Sequence, residues 1–339
     1  MQQDKFYDGV NVLVTGADGF IGSHLTEKLL SKGANVRALA LYNSEGKAGW
    51  LEEIKYFNKN KLEIVFGDIR DGSFVHKLCK NIDVVFHLAA LISIPYSYVS
   101  PNSYMMTNVQ GTINILEASL SNKISRVITT STSEIYGTAK YTPIDEIHEI
   151  QAQSPYSASK ISADHFCDAY ARSFGVPVII LRPFNTFGPR QSERAFIPNV
   201  IRQLLDKNNE KINVGDLSTV RDFIYVTDVA EAYCIAGKNK NIVVGQPYNI
   251  SASMKISMKD ILEKISYISG IKKEINIDKT RIRPKNSEVY ELFGDSNKFR
   301  KATNWKPVEN LETGLMKTID WWKKQINDGK GRVEKGYQI

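Results

Sequence analysis

From Val10 to about Ile180, short apolar runs alternate with longer amphipathic ones. The runs Val10–Thr15, Asn35–Ala40, Leu62–Phe66, Val84–His87, Ser125–Thr130 and Val176–Leu181 predict strands. Between them, Phe20–Ser31, Tyr104–Leu120 and Pro155–Phe174 place apolar residues at helical spacing. Strand and helix in alternation predict an α/β fold, a parallel sheet with helices on both faces. NVLVT and VIILRP are apolar without alternation, as strands covered on both sides require. Past Arg182 the rhythm stops, and loops rich in Asn, Pro, Gly and charge separate shorter elements.

Composition narrows the class. The 339 residues are 42% hydrophobic and 24% charged, an ordinary balance for a globular chain with more than one core. The formal charge of +7 suits a polyanionic ligand, but the basic residues are scattered apart from 272–285, without the one-sided clustering of a nucleic-acid surface. Cys79, Cys167 and Cys234 are odd in number and lack any CxxC, which argues for buried thiols in a reducing cytoplasm and against disulfides or a metal site. The N-terminal residues lack a signal-peptide layout and no apolar run approaches bilayer length, so no membrane partner is expected.

Chemistry enters at the first strand, which runs into Thr15-Gly16-Ala17-Asp18-Gly19-Phe20-Ile21-Gly22. Glycines there allow a tight turn and close approach of a pyrophosphate, which then faces the N–H groups and positive end of a helix. The second strand ends at Ala40, where an NAD-selective site would carry an acid; Asn43, Ser44 and Lys47 offer donors for a 2′-phosphate, so NAD and NADP both stay open. Asp68 and Ile69 follow the third strand at the adenine edge, and Leu88, Ala89 and Ala90 follow the fourth with small side chains. Asn108 completes the candidate cofactor set.

Ser154 and Pro155 predict a helix start, which places Tyr156 and Lys160 one turn apart on one face. An ammonium beside a phenol favours phenolate and is expected to bring Tyr156 toward neutrality as a base. Thr132, Ser133 and Glu134 leave the strand ending SRVITT at its carboxyl edge, where open α/β sheets bind ligands. Glu134 is a carboxylate that simple hydride transfer does not require.

These motifs, with Arg182-Pro183-Phe184-Asn185-Thr186-Phe187-Gly188-Pro189, resemble the extended short-chain dehydrogenase/reductases that act on nucleotide sugars. The resemblance reaches to about Trp322. It implies a Rossmann-type doubly wound sheet over residues 1–182, with a return segment near 223–250. A smaller mixed α/β substrate-binding lobe, partly interleaved, is expected over 183–325, and a weakly ordered tail over 326–339. It also implies a tightly held NAD or NADP, a nucleotide diphosphate sugar as substrate and a homodimer.

Thr132-Ser133-Glu134 is similar to the triplet of sugar-nucleotide 4,6-dehydratases, closest to the GDP-mannose form; others carry Asp where Ser133 stands. The whole chain is similar to legionaminic-acid-pathway dehydratases of nucleotide-linked N-acetylglucosamine. The implied reaction is oxidation at C4, water loss across C5–C6 and hydride return to C6. In it Tyr156 is the base at the C4 hydroxyl, Thr132 steadies that oxygen, and Glu134 removes the C5 proton. Glu134, with Ser133 through water, then protonates the leaving group. Asn185, Arg190, Arg221, Arg283 and Glu288 are expected on the nucleotide and sugar. UDP-glucuronate decarboxylation with Arg190 or Arg194 as a carboxylate partner, 4-epimerisation, and a non-catalytic dinucleotide sensor are the alternatives.

Overall fold

The structure, a computed structural model, describes residues 6–54 and 59–330. Six strands, β1 (Asn11–Thr15), β2 (Asn35–Leu41), β3 (Leu62–Gly67), β4 (Val84–His87), β5 (Arg126–Thr130) and β6 (Val178–Pro183), form a parallel sheet with Pro247–Ile250 as its seventh member. From one edge the order is Pro247–Ile250, β6, β5, β4, β1, β2, β3. The order reverses between β1 and β4, which makes the carboxyl ends of these two strands the crevice of a doubly wound sheet.

Strand side chains alternate between two buried cores. Val12, Val14, Phe86, Ile128 and Leu181 pack with Leu25 and Leu29 of helix α1 (Phe20–Ser31) and with Val229 and Tyr233. Leu13, Val85, Val127, Val178 and Ile180 pack on the other side with Val75, Ile115, Leu116 and Cys167. Burial of both faces is the reason the strands read as continuous apolar runs. The helical pattern from Tyr104 is realised as α-helix at Pro101–Tyr104 and Gly111–Ser121, joined by a π-helical stretch, Met105–Gln110. All three cysteines are free and buried.

After Asn185 the chain builds a second body. Three two-stranded pairs and the helices Phe196–Leu205, Met258–Ser269 and Leu311–Asn327 enclose a core of Phe187, Ile201, Ile212, Ile261, Leu315 and Trp322. Residues 226–250 go back to the first body: Val226–Lys238 packs on α1, and Pro247–Ile250 pairs with β6. The last helix includes residues 326 and 327, where the sequence suggested a tail, and residues 331–339 lie outside the described residues. Among the described residues no helix is long and apolar enough to cross a membrane.

Candidate active site

The turn after β1 closes on itself through glycine. Gly16 has φ +66°, and a Cβ there would lie 2.8 Å from the Ala89 nitrogen. A Cβ on Gly22 would lie 2.1 Å from the Gly16 carbonyl oxygen, so neither position accepts a side chain. Helix α1 starts after Gly19 with no side-chain cap and no acid in its first turn. Its leading N–H groups, at Phe20, Ile21 and Gly22, therefore remain suited to an anion. Thr15 Oγ1 braces the opposite wall, accepting from the N–H groups of Leu88 and Ala89 at 3.1 Å each, with Ala90 next in the chain. Turn, helix end and small wall residues fit a dinucleotide pyrophosphate.

The other cofactor candidates are engaged locally. The Asn43 amide donates to the carbonyls of Leu41 (3.1 Å) and Lys47 (2.8 Å). Asp68 is gripped by Arg70, whose Nε stands 2.9 Å from Oδ2, and this holds its carboxyl below the usual range. Ile69 is buried and faces Gly111, where a Cβ would come within 2.5 Å of it. Asn108 pins the loop after β4 to the Tyr156 helix: it accepts from Leu91 N (2.8 Å) and donates to Ser159 Oγ (2.9 Å). The end of β2 does meet a carboxylate, one that the sequence reading passed over. Asp18, from the glycine turn, accepts from Leu41 N at 3.2 Å.

Ser154 caps the helix Pro155–Phe174 in a reciprocal box with Ser157. Tyr156 and Lys160 both lie on its inward face and are buried. Thr132 caps a single 3₁₀ turn, Ser133–Tyr136, by accepting from Glu134 N at 3.2 Å. The groups around the pair act on it in opposite senses. Burial pushes the Tyr156 phenol up; a hydrogen bond with Thr132 opposes this, and Glu134, Tyr104 and Asp164 add to it. Lys160 Nζ donates to the Thr130 carbonyl at 2.5 Å, and burial lowers the ammonium's own pKa. Tyr104 stands edge-on to Tyr156, centroids 6.2 Å apart.

Glu134 turns inward, its side chain 13% exposed, and meets charges from the second body. Arg283 Nη1 lies 3.6 Å from its Oε2 and 3.7 Å from Glu288 Oε1. Arg221, buried, reaches Glu288 at 3.6 Å. Asn185 Oδ1 is buried with no hydrogen-bond partner, and Ser133 is buried beside Glu134 in the turn. Arg190 belongs elsewhere: its guanidinium takes both oxygens of Glu27 on α1 at 2.8 and 2.9 Å, so it is not drawn to the Glu134 cluster. Arg194 acts on Tyr104, lowering its pKa against the effect of burial.

Behind the turn stands a pair that no motif assigned. Asp164 and Arg182, both buried, meet at 3.1 Å. The spacing of Asp164 one helical turn after Lys160 was a readable signal; its partner on β6 was not.

Fold and site together define an extended short-chain dehydrogenase/reductase of the nucleotide-sugar dehydratase and epimerase class. The model of the GDP-mannose 4,6 dehydratase family matches residues 13–318, and the chain belongs to that family. It is similar to a putative UDP-glucose 4-epimerase of Methanocaldococcus jannaschii, 34% identical over 92% of this chain and 98% of that one. Among solved structures it resembles a UDP-N-acetylglucosamine 4-epimerase from Methanobrevibacter ruminantium in complex with UDP-N-acetylmuramic acid. The TM-score is 0.83 at 30% identity, covering 94% of this chain and 99% of that one. It also resembles dTDP-glucose 4,6-dehydratase from Bacillus anthracis in complex with NAD, with TM-score 0.82 at 27% identity over 94% and 98% of the two chains.

Proposed function

We propose that this chain is a cytoplasmic nucleotide-sugar 4,6-dehydratase that converts GDP- or UDP-linked N-acetylglucosamine to the 4-keto-6-deoxy sugar. One observation carries the reading: Glu134 is turned inward, 3.6 Å from Arg283, and its charge is felt by the Tyr156 phenol. A carboxylate thereby acts by its charge on the phenol. The glycine turn, with Leu88, Ala89 and Ala90, would hold NAD, which when bound would supply the hydride acceptor and donor that the reaction needs. Tyr156 takes the C4 hydroxyl proton while Thr132 steadies that oxygen. A ketone at C4 acidifies C5; Glu134 takes the C5 proton and, with Ser133, passes it to the departing C6 hydroxyl, which leaves as water, and the proton taken by Tyr156 goes back to C5 as hydride is delivered to C6. Lys160 contributes the buried positive charge next to these groups.

Asn185, with its unpartnered amide oxygen, and the Arg221, Arg283 and Glu288 cluster receive the diphosphate and ribose, since guanidinium forks match phosphate oxygens in pairs. Arg190, committed to Glu27, is left out of the substrate site. NAD is favoured over NADP because Asp18 places a carboxylate at the end of β2, and by the NAD-bound dehydratase neighbour. Exposed Met105, Met106 and Phe166, on helical segments packed together, support a homodimer that covers them.

The two epimerase relatives favour a second reading, 4-epimerisation, for which Glu134 has no task. Incubation with UDP-, GDP- and dTDP-hexoses separates the readings by product mass. Loss of water from an N-acetylglucosamine substrate is expected; unchanged mass with inversion at C4, or loss of carbon dioxide from a uronic acid, overturns the proposal. Glu134→Gln is expected to slow water loss by about 10²- to 10⁴-fold while cofactor reduction persists. Dehydration at the wild-type rate in that variant sinks the role of Glu134.

A further inference from the structure

We propose that Asp164 is a positioning residue that keeps the Ser133–Tyr136 turn in register with Tyr156 by gripping the turn at both ends. The inference rests on the assignment of Tyr156, Lys160, Thr132 and Glu134 made above. Asp164 sits on the same helix, two turns beyond Tyr156 and one beyond Lys160. Its Oδ2 accepts from Ser131 Oγ at 2.9 Å and from Arg182 Nε at 3.1 Å. Ser131 directly precedes the capping Thr132, so the first bond fixes the entry to the turn. Arg182 carries the grip to the exit. Its Nη1 donates to Tyr136 Oη at 3.0 Å, with the guanidinium carbon 5.3 Å from the ring centroid. Tyr136 in turn donates to Asn249 Oδ1 at 2.7 Å, on the strand beside β6. Entry, exit and helix are thus referred to one carboxylate, and a misplacement of about 1 Å between reacting groups costs on the order of 100-fold in rate.

The charge of Asp164 acts on the same groups. Around it stand Lys160, Tyr156 and Cys167 from its own helix, Arg182 from β6 and Tyr136 from the turn. Burial lowers the Lys160 ammonium, and Asp164 is the leading group that opposes this. Asp164 also adds to the upward push on the Tyr156 phenol. One negative charge therefore moves both ionisations in the same direction.

The test is a pH profile of cofactor reduction in a single turnover of the NAD-loaded full chain, using whichever nucleotide sugar of the panel reduces it. Dehydratase and epimerase share this step, so an epimerised product overturns the proposed function without touching Asp164. Asp164→Asn is expected to lower the rate about 10- to 100-fold and to slide both limbs of the profile to lower pH by about one unit. A profile that stays in place, or a wild-type rate, overturns the inference. Ser131→Ala removes only the entry contact and leaves the ion pair; it is expected to lower the rate about tenfold with an unchanged melting temperature. Should Asp164→Asn not fold, a wild-type rate in Ser131→Ala overturns the inference alone.

Discussion

Behind the Ser133–Tyr136 turn, Asp164, Arg182 and Ser131 meet at 2.9 to 3.1 Å, while in front of it Glu134, Arg283, Glu288 and Arg221 face one another at 3.6 to 3.7 Å. Both groups mix carboxylates with guanidinium groups; the rear one is buried, while in the front one Arg283 is 24% exposed. The rear contacts are hydrogen bonds; the front ones exceed hydrogen-bond length and act by charge alone. A matched buried pair resists rearrangement, because removing one partner strands the other charge in low dielectric. A looser cluster attracts without locking, which suits side chains that take up a diphosphate. On the proposed function, holding falls to the rear of this short turn and binding to its front.

The largest expected effect breaks the rear pair. Arg182→Ala leaves Asp164 buried without its cation and is expected to cost about 3–5 kcal/mol of stability in a urea titration. A loss below about 1 kcal/mol would show that the two clusters do not differ in kind. Arg283→Gln sharpens the contrast from the front. Stability is expected to hold within about 1 kcal/mol, while KM for the nucleotide sugar rises about 10- to 100-fold, the worth of a charged hydrogen bond. An unchanged KM would remove Arg283 from the substrate site.

The smallest effect concerns the anchor of the front cluster. Asp222, next to Arg221, accepts from Ala252 N and Gly294 N at 3.2 Å each, and burial pushes its carboxyl up to about 7. A folded pKa above the unfolded value gives a contribution that is full below the unfolded pKa and is lost as pH rises through about 7. The wild-type melting temperature is expected to fall by a few degrees between about pH 5 and pH 8, and this slope to flatten in Asp222→Asn. Equal slopes in both proteins would place the carboxyl's titration elsewhere.

Much of the fold was legible because its signals are local. All six predicted strands are present; pairing extends one or two residues past the apolar run at Leu41, Gly67 and Pro183, and three strands begin one or two residues later than predicted, at Asn11, Arg126 and Val178. Phe20–Ser31 and Pro155–Phe174 match their predicted helices, fixed by the glycine turn and by the Ser154 cap with Pro155. The break at Met105–Gln110 had no signal in an otherwise helical pattern. At the site, the inward face shared by Tyr156 and Lys160 followed from spacing alone, and so did the glycine turn.

Partner choice was not legible. Lys160 meets the Thr130 carbonyl instead of the phenol one turn away, Arg190 goes to Glu27 on α1, and Arg182 finds Asp164. Periodicity, caps and glycine spacing act over a few residues, so the chain by itself determined its elements, its glycine turn and its candidate chemistry. Which charge meets which is settled between residues far apart in sequence, once strand order sets β6 beside β5 and lays the second body over the carboxyl edge. A buried charge must take the partner that packing delivers, and only the tertiary structure decided that delivery.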